Sequence, residues 1–163
     1  MEQTLERPQS QPAQASASAA APAQDLRMRV LTKDEFEQRW SEIRPLLDPA
    51  TPYNGGEYET DDLLVMVKEG HAFGLGFLCD GVCNFIMILQ VQHMPRKKVL
   101  HILCWGGPGM RRFFQLFLQA FLSLAKRNGC QAIRGAMRPS MERYAKRFIP
   151  NLTNLYSIVE TSL

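Results

Sequence analysis

The sequence has few cysteines and no pattern that would pair them. Four cysteines are spread over 163 residues, none of them in a Cys-x-x-Cys pair, and they lie within apolar runs. A disulfide-stapled secreted domain and a zinc ribbon both need closer and more regular spacing. We therefore expect reduced thiols in the core, and no metal site is predicted.

Long apolar segments are also lacking. The longest candidate, residues 113–125, follows two arginines and precedes Lys126-Arg127, which favours a buried helix over a membrane span. The first residues include Glu2 and Glu6 and contain no apolar stretch of the kind found in a secretory signal. These features predict a cytoplasmic protein without a membrane partner.

Negative charge is scarce in the second half of the chain. Residues 91–163 contain 12 Lys and Arg against 2 Asp and Glu, whereas residues 1–90 contain 7 against 14. The basic half either offsets the acidic half in space or faces an anionic ligand. The only basic run, Arg96-Lys97-Lys98, is short and has no interleaved aromatics, so a nucleic-acid partner is disfavoured.

Large apolar residues are missing from most of the first 25 positions. Residues 1–25 consist mainly of Ala, Gln, Ser and Pro, with no large apolar residue after Leu5. Such a segment buries too little surface to offset the entropy of ordering it. The sequence predicts a disordered tail over residues 1–25, which becomes ordered only against a protein partner, and one domain over residues 26–163.

Apolar periodicity and turn residues predict the order β-α-α-β-β-β-α-β-α-β. An Asp80-Gly81 pair between two apolar runs predicts a tight hairpin. The segment 110–127 is apolar almost all round, so we expect a largely buried helix, flanked by parallel strands. Predicted strands are 26–31, 71–79, 82–92, 98–104, 130–136 and 155–160. Predicted helices are 33–47, 60–68, 110–127 and 139–147, the second capped by Thr60-Asp61-Asp62 and ended by Gly70.

One stretch has the features of an anion site. The segment Val99 to Phe113, VLHILCWGGPGMRRF, passes from an apolar strand through a Gly-Gly-Pro-Gly turn into a helix that opens with Arg111 and Arg112. The first turn of a helix leaves N–H groups without partners, its dipole adds positive potential, and glycines allow close approach of phosphate oxygens. The alternative is that the glycines serve only tight packing of the turn.

This order, with its glycine turn after the fourth strand, resembles the GCN5-related N-acetyltransferase (GNAT) family. In that family the turn has Arg or Gln, two residues, Gly, one residue, then Gly or Ala, and its amides cradle the pyrophosphate of acetyl-coenzyme A. Gly107 and Gly109 match the two glycine positions, whereas Cys104 replaces Arg or Gln and Pro108 has no N–H to donate. The resemblance implies a mixed, mostly antiparallel sheet with helices on both faces. It also implies a coenzyme site formed by Leu103, Cys104, Trp105, Gly106, Gly107, Gly109, Met110, Arg111 and Arg112.

A second stretch that resembles the family is 137–149, MRPSMERYAKRFI. The positions that match the family pattern are Ser140, Tyr144 and Lys146. Two positions depart from it, because Met137 replaces Asn and Phe148 replaces Gly. The resemblance implies that Tyr144 lies near the coenzyme sulfur and protonates the leaving thiolate. The runs 129–133, GCQAI, and 138–143, RPSMER, are also similar to acetyltransferase-like proteins of tailed bacteriophages, which would place the protein in host cytoplasm or in a virion.

A general base is harder to identify from the sequence. His101 on the fourth strand has a pKa range suited to this role, although a single histidine in an apolar strand is also typical of a core residue. Glu57 and Glu59 lie in a loop that could receive a substrate amine.

Two functions therefore remain open. The first is a coenzyme-A-dependent N-acyltransferase that acts on an amine of a small molecule or a protein, by direct attack on the thioester. The second is a catalytically lapsed protein of the same fold that serves as an interaction partner in a phage particle or another assembly. The sequence leaves the acyl acceptor and the oligomeric state open.

Overall fold

The computed structural model describes residues 25–54, 56–136, 139–149 and 151–153. The predicted strand 155–160, Met137 and nearly all of the predicted tail lie outside the described residues. Five strands form one sheet in the order β1-β2-β3-β4-β5. Their bounds are β1 Leu26–Val30, β2 Phe73–Cys79, β3 Val82–Met94, β4 Lys97–Gly106 and β5 Ala132–Gly135.

The pairing of the strands confirms a mixed, mostly antiparallel sheet. Strands β1 to β4 are antiparallel neighbours, and β5 is parallel to β4. The β2–β3 hairpin turns at Asp80 and Gly81, whose φ angles are 51° and 81°. Both residues have positive φ, as a tight two-residue hairpin loop requires, so the predicted hairpin is confirmed.

Helices cover both faces of the sheet. Along β3, Ile86 and Ile88 join a core cluster with the first three helices, whereas Phe85, Met87 and Leu89 join a second cluster with the fourth helix. This alternation follows from the period of two in a strand. The helices are α1 Lys33–Gln38, α2 Trp40–Leu47, α3 Thr60–Glu69, α4 Met110–Arg127 and α5 Pro139–Ala145, with a 3-10 turn at Thr51–Tyr53.

The prediction of one helix over 33–47 was wrong at Arg39. This residue ends α1 and precedes α2, with φ −90° and ψ 6°. Its guanidinium donates to the carbonyl of Gly81 at 3.1 Å, and the Glu42 carboxylate accepts the backbone N–H of Cys83. The break is therefore fixed by contacts with the β2–β3 hairpin, which helical spacing in the sequence does not reveal.

The start of α3 also differs from the prediction. The residue that precedes the helix is Glu59, and its backbone N–H donates to the side chain of Asp62 at 2.8 Å. Thr60 is buried inside the first turn and shares a hydrogen bond with Thr51. Gly70, with φ 84°, ends the helix as predicted.

The expectation that α4 is largely buried was wrong. Its buried side chains form one stripe that consists of Phe113, Leu118, Phe121 and Ala125. The opposite side is exposed, and Leu116 there is 55% exposed. Gln115, Gln119 and Ser123 lie four residues apart on this outer side, so the polar stripe is present in the sequence. Among the described residues, no helix is long and apolar enough to cross a membrane.

The same substitution should change the stability of the protein by different amounts on the buried side and on the exposed side of α4. We expect Leu118→Gln to lower the free energy of unfolding by about 2 to 4 kcal/mol, because it buries an amide in the apolar cluster. The matched control Leu116→Gln should change it by less than about 0.5 kcal/mol. Denaturant unfolding measures both, and equal losses would contradict a one-sided helix.

Candidate functional site

Strand β4 continues past the end of its parallel neighbour. Val99–Ile102 of β4 pair with Ala132–Gly135 of β5, but β4 extends to Gly106 alongside β3. Gly135 lies at the last pair, where an added Cβ would come within 3.0 Å of the Ile102 side chain. Beyond this point the edge of β4 that faced β5 has no strand partner among the described residues.

A bulge in β4 lies at the point where the two strands separate. Ile102 pairs with Leu89 of β3. The next pair joins Cys104 to Ile88, so Leu103 is skipped in the register. Bulges redirect a strand and its backbone groups, and they are common beside functional sites. The end of β4 is thus both unpaired on one edge and locally bent.

Two of the turn glycines are required by backbone packing. A Cβ on Gly106 would lie 1.9 Å from the carbonyl oxygen of Leu46 at the end of α2. A Cβ on Gly107, whose φ is 124°, would lie 2.3 Å from the carbonyl oxygen of Asn84 on β3. The packing interpretation therefore accounts for these two glycines, and it fixes the turn against both α2 and β3.

Gly109 has a different environment. It precedes the first residue of α4, and its φ of 77° favours glycine. The nearest atom to an added Cβ would be a ring carbon of Phe113 at 3.7 Å, an ordinary van der Waals distance. Close packing therefore does not account for Gly109, unlike Gly106 and Gly107, and its positive φ does.

The first turn of α4 is positively charged. It has no acidic residue and no side-chain cap, and its second and third residues are the exposed Arg111 and Arg112. The dipole of an 18-residue helix adds further positive potential at this end. The sequence-predicted anion site is therefore electrostatically suited to a phosphate.

The remaining predicted coenzyme residues divide between the two faces of the sheet. Leu103 and Cys104 belong to the cluster with α1 to α3, and Trp105 and Met110 to the cluster with α4. Burial raises the pKa of the Cys104 thiol to about 11, so this thiol is protonated near neutral pH. Cys104 is a core residue and is not an activated nucleophile.

Tyr144 lies against the first turn of α4. Its hydroxyl donates to the backbone carbonyl of Arg111 at 3.2 Å, and the Arg111 guanidinium carbon is 5.3 Å from its ring centroid. The ring also contacts Phe114 and Phe148, with centroids 6.0 and 5.3 Å away. The structure thus brings Tyr144 together with Arg111, where α5 meets the first turn of α4.

His101 lies on β4, one pair before the opening. Its Nδ1 is 2.8 Å from Nε2 of Gln92, and an amide nitrogen can only donate. The neutral ring therefore has its proton on Nε2. Burial, together with the charge of Arg134, lowers the pKa of His101 below its ordinary value of 6.5. In this arrangement His101 is a neutral hydrogen-bond donor through Nε2.

The two loop carboxylates have different surroundings. In the capping box at the start of α3, the Glu59 carboxylate accepts the backbone N–H of Asp62. The charge of Glu57 acts on His101 and opposes the lowering of its pKa. Of the two carboxylates, Glu57 is the one whose charge acts on a residue of β4.

Sequence analysis missed Tyr58. Its hydroxyl donates to the carbonyl oxygen of Leu103, the bulge residue. No periodic pattern in the sequence indicates a role for a tyrosine in a loop. Residue spacing also does not predict which backbone group its side chain contacts. It also borders a cleft of about 380 Å³ lined by Arg44, Thr51, Pro52, Asn54, Gly56, Tyr58, Glu59, Thr60 and Asp61.

The cysteines are free thiols, of which Cys83, Cys104 and Cys130 are buried. Within the described ranges, no group of three or more His, Cys, Asp or Glu side chains is arranged to hold a metal ion.

Comparison with known proteins gives similarity in structure only. No protein-family model matches the sequence, and no curated protein matches it at a significant level. Among solved structures, an acetyltransferase from Trypanosoma brucei is 15% identical, with a TM-score of 0.59 over 85% of this chain and 100% of that chain. A ribosomal-protein-alanine N-acetyltransferase from Brucella melitensis is 12% identical, with a TM-score of 0.59 over 85% and 99%.

A structure with coenzyme is also similar. The aminoglycoside N-acetyltransferase AAC(6′)-Iy, solved in complex with CoA, is 12% identical, with a TM-score of 0.61 over 87% of this chain and 98% of that chain. The chain therefore has the fold of the GNAT acetyltransferases, and the predicted fold class is confirmed. These similarities give no support to a bacteriophage origin.

The glycine turn can be tested through stability. We expect Gly106→Ala to cost more than about 3 kcal/mol of unfolding free energy, since its Cβ would overlap a backbone oxygen that no rotamer can move. Gly109→Ala meets no obstacle and should cost only about 1 to 2 kcal/mol, for a left-handed alanine. Denaturant unfolding compares the two, and equal costs would contradict the packing role of Gly106.

The lowered pKa of His101 should affect how the stability of the protein changes with pH. Because its folded-state pKa is lowered, its contribution is complete above about pH 6.5 and is lost as the pH falls through the folded-state pKa. His101→Gln should therefore flatten the decline of the melting temperature below pH 6.5. Identical declines in both proteins would contradict this environment for His101.

Proposed function

We propose that the protein is an acetyl-coenzyme-A-dependent N-acetyltransferase that transfers an acyl group to an amine. The observation that supports it most is one juxtaposition within a GNAT fold. The open edge of β4, from Leu103 to Gly106, leads directly into the uncapped, arginine-flanked first turn of α4. An extended ligand with an anionic end and a thioester end matches such a site.

The first turn of α4 would hold the pyrophosphate. Backbone N–H groups at and after Gly109 and the charges of Arg111 and Arg112 supply the donors. Pro108 supplies none, so the turn relies more on the helix and the arginines than on the loop. The absence of an acidic residue and of a side-chain cap in this turn supports the assignment.

The free edge of β4 would bind the pantetheine arm. Beyond Ile102 this edge has no strand partner among the described residues, so an amide-bearing chain can pair with the backbone groups it presents, apart from the Leu103 carbonyl, which accepts the Tyr58 hydroxyl. When bound, acetyl-coenzyme A supplies the thioester that an amine attacks directly. The protein's task is to orient this group at the bulge.

Tyr144 is the proposed proton donor to the leaving thiolate. A phenol has a proton available at neutral pH and is a suitable acid for this purpose. Its hydroxyl now donates to the Arg111 carbonyl, an exposed contact of 3.2 Å, and must exchange that partner for the sulfur. Its place on α5, against the same turn of α4, supports the role.

His101 and Glu57 are proposed to face the amine acceptor. Glu57 offers a negative charge to a cationic amine, and the Nε2 proton of His101 offers a donor to a substrate oxygen. For His101 to act as a base, Gln92 must first release Nδ1, the ring nitrogen that has the lone pair.

The acceptor class is an amine of a small molecule or a protein. One acetyltransferase of similar fold, from a soil metagenomic sample, was solved in complex with sisomicin; it is 11% identical, with a TM-score of 0.56. Residues 1–25 are proposed as a segment that binds a protein partner.

A second candidate is a protein that binds the coenzyme without turnover. The occupied Nδ1 of His101 and the buried, protonated Cys104 favour it, because neither is an accessible base in this arrangement. Coenzyme binding without acetylation of any amine would select this candidate.

Coenzyme binding tests the proposal first. We expect micromolar affinity for acetyl-coenzyme A by titration calorimetry, and a loss of about tenfold in the double variant Arg111→Ala/Arg112→Ala. Arg127→Ala, at the other end of α4, is the matched control and should change affinity less than about twofold. Equal losses at both ends of the helix would refute the phosphate assignment.

The role of Tyr144 is tested by kinetics. Tyr144→Phe keeps the ring contacts and removes the hydroxyl, so we expect kcat to fall about 100-fold while KM for acetyl-coenzyme A changes little. An unchanged kcat in steady-state assays would exclude Tyr144 as the acid.

A further inference from the structure

The bulge of β4 is held from outside the sheet. Leu103 has no partner in the register with β3, and β4 has already left β5 at this residue. The carbonyl of Leu103 instead accepts the hydroxyl of Tyr58, from the loop before α3. One side chain from outside the sheet therefore contacts the backbone of the bulge residue directly.

The loop around Tyr58 is itself firmly anchored. Asn54 accepts the backbone N–H of Gly56 at 2.7 Å and donates to the carbonyl of Tyr58 at 2.6 Å. At its base, the hydroxyls of Thr51 and Thr60 share a buried hydrogen bond of 3.0 Å. With these internal hydrogen bonds, the loop holds Tyr58 in a defined position against β4.

The phenol of Tyr58 is a permanent donor. Burial raises its pKa to about 12, and the nearby Cys104 and Glu57 act in the same direction. The hydroxyl therefore keeps its proton, and its bond with the Leu103 carbonyl, throughout the neutral range. Its ring packs against the cluster of α1 to α3, which fixes its direction.

We propose that Tyr58 is a positioning residue, which holds the β4 bulge in the shape that the thioester arm of the coenzyme requires. The inference rests on the proposed function. It assigns Tyr58 to the pantetheine end of the ligand and leaves the nucleotide end to the first turn of α4. Tyr58 acts through the Leu103 backbone and has no contact with the reacting atoms in this assignment.

Two ligands separate these ends of the site. Coenzyme A has both the arm and the nucleotide, whereas adenosine 3′-phosphate 5′-diphosphate keeps the nucleotide with its pyrophosphate and lacks the arm. Titration calorimetry of Tyr58→Phe should show coenzyme A affinity reduced about tenfold and the affinity for adenosine 3′-phosphate 5′-diphosphate within about twofold of wild type. Tyr53→Phe, the same change at a residue of this loop that is 63% exposed, is the matched control and should alter neither.

The outcomes are distinct. Unchanged coenzyme A affinity in Tyr58→Phe, or equal losses for both ligands, overturns the positioning role and leaves the proposed function intact. No binding of either ligand by the wild type overturns both. If Tyr58→Phe fails to fold, Asn54→Ala, which releases the Tyr58 carbonyl, should show the same selective loss, and the absence of that selectivity overturns the role.

Discussion

A parallel pair of strands that separates after four residues creates the candidate site. Ile102 and Gly135 form the last pair, and the backbone groups of β4 beyond it keep only one neighbouring strand. Unpaired strand edges are available for hydrogen bonding, and most proteins cover them. Here the unpaired edge of β4 leads directly to the N-terminus of α4. One continuous segment therefore presents both the backbone groups of a strand edge and the N–H groups of a first helical turn.

Backbone packing maintains this geometry. Gly106 and Gly107 allow the turn to lie directly against main-chain atoms of α2 and β3, at distances that exclude any side chain. The turn is therefore rigid, and α4 starts from a fixed point. Large aromatic side chains, led by Phe113 and Phe121, attach the helix to the sheet along one stripe. The opposite face, with α1 to α3, supports the bulge through Tyr58.

Local patterns predicted most of the fold, and long-range contacts explain what they missed. The Asp80-Gly81 hairpin, the bounds of α4 and the glycine turn follow from turn chemistry and periodicity, which act over a few residues. The break at Arg39 involves a contact with the distant Gly81, and the bulge is defined by the pairing of β4 with β3. Neither feature can be predicted from a short stretch of sequence. Among the candidate site residues, Arg111 and Arg112 are predicted from their place after the turn. Tyr58 could not, since its partner is 45 residues away.

The central claim is that a coenzyme occupies the edge of β4 and the first turn of α4 together. Amide hydrogen exchange, measured residue by residue with and without coenzyme A, tests it most directly. With coenzyme A bound there, exchange should be slower at backbone amides within 103–107 and 109–112. Unchanged exchange in both segments, or protection confined to the outer face of another helix, would contradict it.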